Sequence, residues 1–265
     1  MNGSVMALAL IGAELRRTFR LIRSYWLEYI SDFFTYVVGF LLLMAVFWSA
    51  SDNFGVTGYL AALIGYVTWK MCASVMLDVA LTPVEEAQTG TLEQLLLSKI
   101  SPGWVFLSRT VGFIFENGLR SFFLGLFLAF VGKVLQPVSF LALVVFILTL
   151  GGAIGLGFAL AGVGLIFKQT SRLPTLLWQM LVFFTGALAP IRQPVLLGIS
   201  KLLPLTWGIT ALRAIYVENA SFNSLWESGM MAGLFINTAI YILLGVFLFV
   251  WGQKQARSLG TLAHY

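Results

Sequence analysis

The sequence predicts an all-α polytopic membrane protein with six transmembrane helices, and three observations carry that prediction. Apolar runs long enough to cross a bilayer recur from end to end. Only 10% of the 265 residues are charged and the mean hydropathy is +0.93, where a soluble chain carries about 25% charged residues. The apolar runs are also continuous rather than alternating, which is the pattern of helices and not of a β-barrel.

The first element is not a span. From Met6 to Ile30, Leu8, Ile11, Leu15, Phe19, Ile22 and Trp26 recur at spacings of three or four, with Arg16, Arg17, Arg20 and Arg23 between them. This spacing predicts a basic amphipathic helix lying at the membrane interface, occupying residues 1–32. A crossing helix needs about 20 apolar residues. Six candidates follow: Phe33–Ala50, Gly58–Leu81, Val111–Val131, Val138–Phe167, Leu173–Ala189 and Gly229–Trp251. The last three spans do not repeat the first three, so the 265 residues read as one unsymmetric transmembrane domain.

Two polar intervals break the series. Between spans 2 and 3, residues 82–110 contain Glu85-Glu86 and then Thr89-Gly90-Thr91, which can end one helix and cap the next. Leu92, Leu95, Leu96 and Leu97 supply one greasy face, and Pro102 closes the segment. The expectation is a short amphipathic helix that docks on a partner, with an ordinary interfacial helix as the alternative. Between spans 5 and 6, residues 190–228 hold Pro190, Pro194 and Pro204 between two apolar pieces too short to cross. They are expected to dip into the membrane as re-entrant helices or to pack over the spans.

Basic residues orient the chain. With the N-terminus inside, the inner segments hold Arg16, Arg17, Arg20, Arg23, Lys99, Arg109, Lys168, Arg172, Lys254 and Arg257, and the outer ones only Lys133, Arg192, Lys201 and Arg213. That asymmetry predicts both termini in the cytoplasm. The N-terminal residues lack a short apolar core with a cleavage site, so no cleavable signal peptide is expected. The one cysteine, Cys72, lies in an apolar run and is expected to be a buried, inert thiol.

With these elements in place, the chain resembles the permease subunit of ATP-binding-cassette exporters of the type-two permease family. Two motifs carry the resemblance. Glu85-Glu86, the core Gly90-Thr91-Leu92-Glu93 and the leucine-rich turn around Leu96 resemble the family's coupling helix between spans 2 and 3. Pro204-Leu205-Thr206-Trp207, continuing to Ala211-Leu212-Arg213, resembles a Pro-Leu-Thr run before the last span. The resemblance implies a dimer of permease chains, most simply a homodimer, in the cytoplasmic (inner) membrane. It also implies a separate ATPase subunit that binds ATP and Mg, while this chain binds no cofactor and hydrolyses nothing. The chain indeed lacks a Gly-x-x-x-x-Gly-Lys-Ser/Thr phosphate loop: near Gly132-Lys133, Phe127 occupies the first glycine position and Val134 the hydroxyl position.

Charges inside the spans are the remaining candidates. Lys70 lies near the middle of span 2, and Glu116 and Arg120 lie one turn apart in span 3. A charge at mid-bilayer costs about 2.5–3.5 kcal/mol by insertion scales, so these residues should pair or face a polar path. Counted from the inner ends of two antiparallel spans their depths overlap, which predicts a Lys70–Glu116–Arg120 network. It either lines the substrate path or clamps helices together. Asp78 is expected to be interfacial. Gly118, Gly125 and Gly132, and Gly151 with Gly155, Gly157, Gly162 and Gly164, mark close helix packing. Trp69 and Trp178 lie deep, against cargo or against other helices. With a single histidine, His264, and no carboxylate or thiol cluster, no metal site and no nucleophile–base pair is expected.

An ATP-driven permease is therefore the expected function, with a small hydrophobic or amphipathic cargo and no role for nucleic acid. A stand-alone ion-coupled carrier using Lys70, Glu116 and Arg120 is the alternative. A membrane-embedded enzyme is disfavoured by the missing catalytic cluster.

Overall fold

The computed structural model describes residues 3–50, 55–88, 102–167, 172–189, 191 and 193–258, and all regular structure within them is helical. The helices are α1 (Gly3–Ser24), α2 (Trp26–Ala50), α3 (Val56–Gln88), α4 (Pro102–Val131), α5 (Phe140–Phe167), α6 (Arg172–Phe184), α7 (Pro194–Leu202), α8 (Thr206–Val217), α9 (Phe222–Glu227) and α10 (Met230–Ser258). Five of them, α2, α3, α4, α5 and α10, are long and apolar enough to cross a membrane. The count rises to six if the pair α7–α8, bent by 106°, is one broken span.

Three differences from the sequence expectation matter most for the fold. The N-terminal helix stops at Ser24 instead of continuing to Ile30, and α2 already starts at Trp26. Hydropathy delays the start of this span because of Asp32, but Asp32 is paired with Arg120 and need not stay in water. α4 likewise starts at Pro102, ahead of the expected Val111, and carries Arg109 in its first turns. The third difference is the fifth expected span, Leu173–Ala189. Only α6 is helical there, and its 13 residues cover about 20 Å at 1.5 Å per residue, short of the bilayer core.

α3 is the hub. Its middle is buried on all sides, with Cys72, Ala73, Val75 and Met76 fully enclosed, and it packs against α4, α5, α6 and α8. Cys72 is a free, buried thiol as expected.

Small residues bring the helices together, as they must where lipid tails remove the hydrophobic drive between spans. Gly118 lies against Met71, Gly125 against Val67 and Gly132 against the Tyr59 ring, so the seven-residue repeat on α4 is one face laid along α3. A second face joins α5 to α10. Gly155 lies against the Tyr241 backbone and Gly245, and Gly162 against the Leu248 backbone and Gly252. Both pairs are seven residues apart, two turns on each helix, so backbone meets backbone twice. α1 folds back on α4, where Glu14 and Thr18 pack over Gly112. Its Leu8, Phe19 and Leu21 remain exposed while Thr18 is buried.

Candidate functional site

α2, α3 and α4 enclose the charged residues singled out from the sequence. On α4, Glu116 and Arg120 are four residues apart and share one helix face, where Arg120 Nη2 and Glu116 Oε1 lie 2.6 Å apart. Arg120 Nη1 reaches across to Asp32 Oδ2 on α2 at 2.8 Å. Tyr29, one turn before Asp32, donates its hydroxyl to Glu116 at 2.6 Å and places its ring 4.0 Å from the Arg120 guanidinium. One cation thus holds two carboxylates and one aromatic face.

Lys70 is placed differently. The structure does not bring it to Glu116; it stands on another wall of the same cavity. Its ammonium donates to Ser74 Oγ at 2.9 Å and lies 4.1 Å from the centre of the Tyr36 ring. Among the described residues it forms no ion pair. Tyr29, Asp32 and Tyr36 do what sequence reasoning had left to Lys70 and Glu116 alone. Asp32 and Tyr29 fell in the stretch read as the end of the interfacial helix, and a contact across 88 residues leaves no mark in local spacing. Asp78 is also more than interfacial: Asn117 Nδ2 on α4 donates to it at 2.7 Å.

A second polar region lies where α3 ends and α4 begins. Glu86, in the last turn of α3, forms an ion pair with Arg109 of α4, and the two side chains are only 12% and 18% exposed. Glu85 is exposed. Arg17 of α1, with Asp78, Thr82, Glu85, Glu86 and Arg109, lines a cavity of about 400 Å³ here. Gly90, Thr91, Leu92, Glu93 and Leu96, expected to form the docking helix, lie outside the described residues.

At the opposite ends of these helices, Arg213 of α8 holds an irregular piece of backbone. After α6 the chain leaves helical geometry through Thr185–Ala189, with Gly186 at φ +70°. Arg213 Nη1 donates to the Gly186 carbonyl, Nη2 to that of Ala187 and Nε to that of Ala61 on α3, each at 2.7 Å. Non-helical backbone at membrane depth is tolerated only where protein satisfies it, and this guanidinium fork does so. Gly65 leaves the room it requires, since a methyl there would strike both Ala187 and Arg213. Sequence reading had counted Arg213 only as an outer charge and a motif member. Thr206 of the same motif bonds Ser200 Oγ at 3.0 Å across the α7–α8 bend, and Trp207 Nε1 donates to the Lys201 carbonyl at 2.9 Å. Trp69 and Trp178 pack on each other with centroids 5.2 Å apart.

The family model described as "ABC-2 type transporter" matches residues 9–217, which take in α1 through α8. No curated protein matches the chain.

Proposed function

The chain belongs to the ABC-2 type transporter family, and from that premise we propose that it is the membrane-spanning half of an ATP-driven exporter. It is a multi-pass permease; ATP and Mg are bound by a partner ATPase subunit. Two permease chains, as a homodimer, form the pathway, with both termini in the cytoplasm of a cell whose inner membrane holds the complex.

The observation that carries this reading is the Glu86–Arg109 ion pair. Residues 89–101 leave α3 at Gln88 and return at Pro102 of α4, and the pair ties their two roots together. In the family pattern this segment, with Gly90-Thr91-Leu92-Glu93 and Leu96, is the coupling helix seated on the ATPase. A push on a segment with free roots would bend a loop. With the roots joined, the same push moves α3 and α4 as one body. α1 is joined to that body through Glu14, Thr18 and Gly112, so a push on α1 would add to it. Glu86 is in this reading a transmitting clamp, and the exposed Glu85 is the carboxylate turned towards the partner side. The Tyr29–Asp32–Glu116–Arg120 cluster ties α2 to the same body. Lys70 then rides on the moving helix pair.

Extraction of the tagged chain from its own membranes in mild detergent tests the proposal. A stoichiometric companion with a phosphate loop, together with vanadate-sensitive ATP hydrolysis, is the expected result. A stable complex with neither, and transport driven by an ion gradient in vesicles of this chain alone, would replace it with the ion-coupled carrier.

A further inference from the structure

The outward side of α1 joins a basic face to an apolar one. Arg16, Arg20 and Arg23, at spacings of four and three, share one side of the helix, and Leu8, Leu15 and Phe19, at seven and four, share the side next to it. The three arginines, Leu8 and Phe19 are all exposed. The helix packs on α4 through a third side, where Glu14 and Thr18 lie over Gly112. That packing leaves the arginines and Phe19 unoccupied.

Arg16, Arg20, Phe19, Leu15 and Ala13, with Phe115 of α4, border a groove of about 710 Å³. The charge on it is of one sign. No carboxylate borders it, and the carboxylates of the two helices that form it are paired elsewhere, Glu14 with Arg17 and Glu116 with Arg120. Arg16 Nε donates to the Gly12 carbonyl at 3.1 Å and Arg20 Nε to the Arg16 carbonyl at 3.4 Å. Among the described residues neither guanidinium forms an ion pair. The terminal N–H groups of both remain, in the planar fork that takes phosphate oxygens two at a time.

The wall beyond the groove identifies the ligand. Phe115 begins a stripe, continued by Phe122 and Leu126 at spacings of seven and four, that is exposed along a helix long and apolar enough to cross a membrane. From Phe115 to Leu126 the rise is about 16 Å at 1.5 Å per residue, half of a hydrocarbon core about 30 Å thick. The greasy wall is as deep as one leaflet, and the guanidinium groups stand at its foot. A soluble phosphate would leave that wall unused.

We propose that the groove between α1 and α4 holds one phospholipid with an anionic head group. Its phosphate accepts hydrogen bonds from Arg16 and Arg20, and its acyl chains lie over Phe19 and Phe115 and along Phe122. A net negative head is preferred, because a zwitterion brings its own cation up to two arginines. Binding requires no ATP and no partner subunit, so its outcome is independent of how transport is driven.

The purified full-length chain in mild detergent is titrated with dioleoyl phosphatidylglycerol and with dioleoyl phosphatidylcholine, and bound lipids are counted by native mass spectrometry. One saturable phosphatidylglycerol per chain is expected, bound at least about tenfold tighter than phosphatidylcholine, the range of two basic residues at an anionic head group. Arg16→Gln with Arg20→Gln should remove most of that preference, and the paired Lys variant should keep part of it. Arg172→Gln with Lys254→Gln removes the same charge from other exposed positions and should leave the preference intact. Equal binding of the two lipids by the wild type overturns the proposal, and so does an equal loss in the control pair, which would reduce the effect to diffuse attraction. Phe115→Glu sets a carboxylate in the groove while keeping both arginines, and covers the case in which the double Gln variant does not fold: loss of the preference is expected, and retention overturns the proposal. Glycerol 3-phosphate at equal concentration should leave the lipid in place; displacement would give the groove to a soluble phosphate and overturn it. An undiminished preference in the double Gln variant, with loss of a co-purifying protein, would give the groove to that protein instead.

Discussion

Glu86 on α3 and Arg109 on α4 form an ion pair that closes the base of the two helices on either side of residues 89–101. Both side chains are largely shielded, so losing this contact costs about 2 kcal/mol for a partly buried pair. The functional consequence should exceed the structural one. Arg109→Met in the assembled transporter is expected to leave ATP hydrolysis at least half of normal while transport per ATP falls several-fold. The swap Glu86→Arg with Arg109→Glu should recover part of the coupling. Normal coupling in Arg109→Met would show that the clamp transmits nothing.

Arg213 presents a test of stability alone. Its three carbonyl partners lie on α3 and on the non-helical turn after α6. Arg213→Met should destabilise the chain by at least about 3 kcal/mol, since hydrogen bonds from a charged donor contribute about 1.5–3 kcal/mol each. Lys should rescue little, because a point-like ammonium cannot fork to carbonyls on two elements. Thermal unfolding in detergent measures both; a Lys variant that melts with the wild type would remove the fork from the account.

The glycines separate packing from helix propensity. Gly155→Ala and Gly162→Ala each place a methyl into the backbone of α10, so both should lower the melting point and the yield of folded protein despite the better intrinsic propensity of Ala. Gly12→Ala, where nothing lies within 4 Å, should stabilise α1 by up to about 1 kcal/mol. Equal melting points for Gly155→Ala and Gly12→Ala would contradict the close approach of α5 and α10.

Glu116→Gln tests the helix clamp against the ion-coupled carrier. An amide keeps an oxygen for the Tyr29 hydroxyl, and Asp32 still pairs with Arg120. The variant should melt lower yet transport at a near-normal rate per folded molecule. Arg120→Met should be worse than either carboxylate change, because it leaves Asp32 and Glu116 facing each other without a cation. Complete loss of transport in well-folded Glu116→Gln would instead give that carboxylate a direct part in moving cargo or protons.

By itself the sequence determined the class, most of the helical spans and the family. Composition and continuous apolar runs admit only helices, and the spacing of Leu8 through Ile22 marks the amphipathic α1, while most of the motif at Glu85–Pro102 lies outside the described residues. The depth match of Lys70, Glu116 and Arg120 predicted one network; Glu116 and Arg120 do pair, while Lys70 shares only a cavity wall with Arg120. Partner choice is not local. That Arg120 selects Asp32 and Lys70 is left to Ser74 and Tyr36 depends on how α2 is rotated against α4, which no periodicity encodes. The same holds for Arg213, whose partners are backbone carbonyls and therefore carry no residue type to read. The glycines announced close contacts, but only the tertiary structure paired Gly155 with Gly245 and Gly162 with Gly252. The sequence sets which surfaces are smooth or charged; the packing of ten helices in the described residues decides which of them meet.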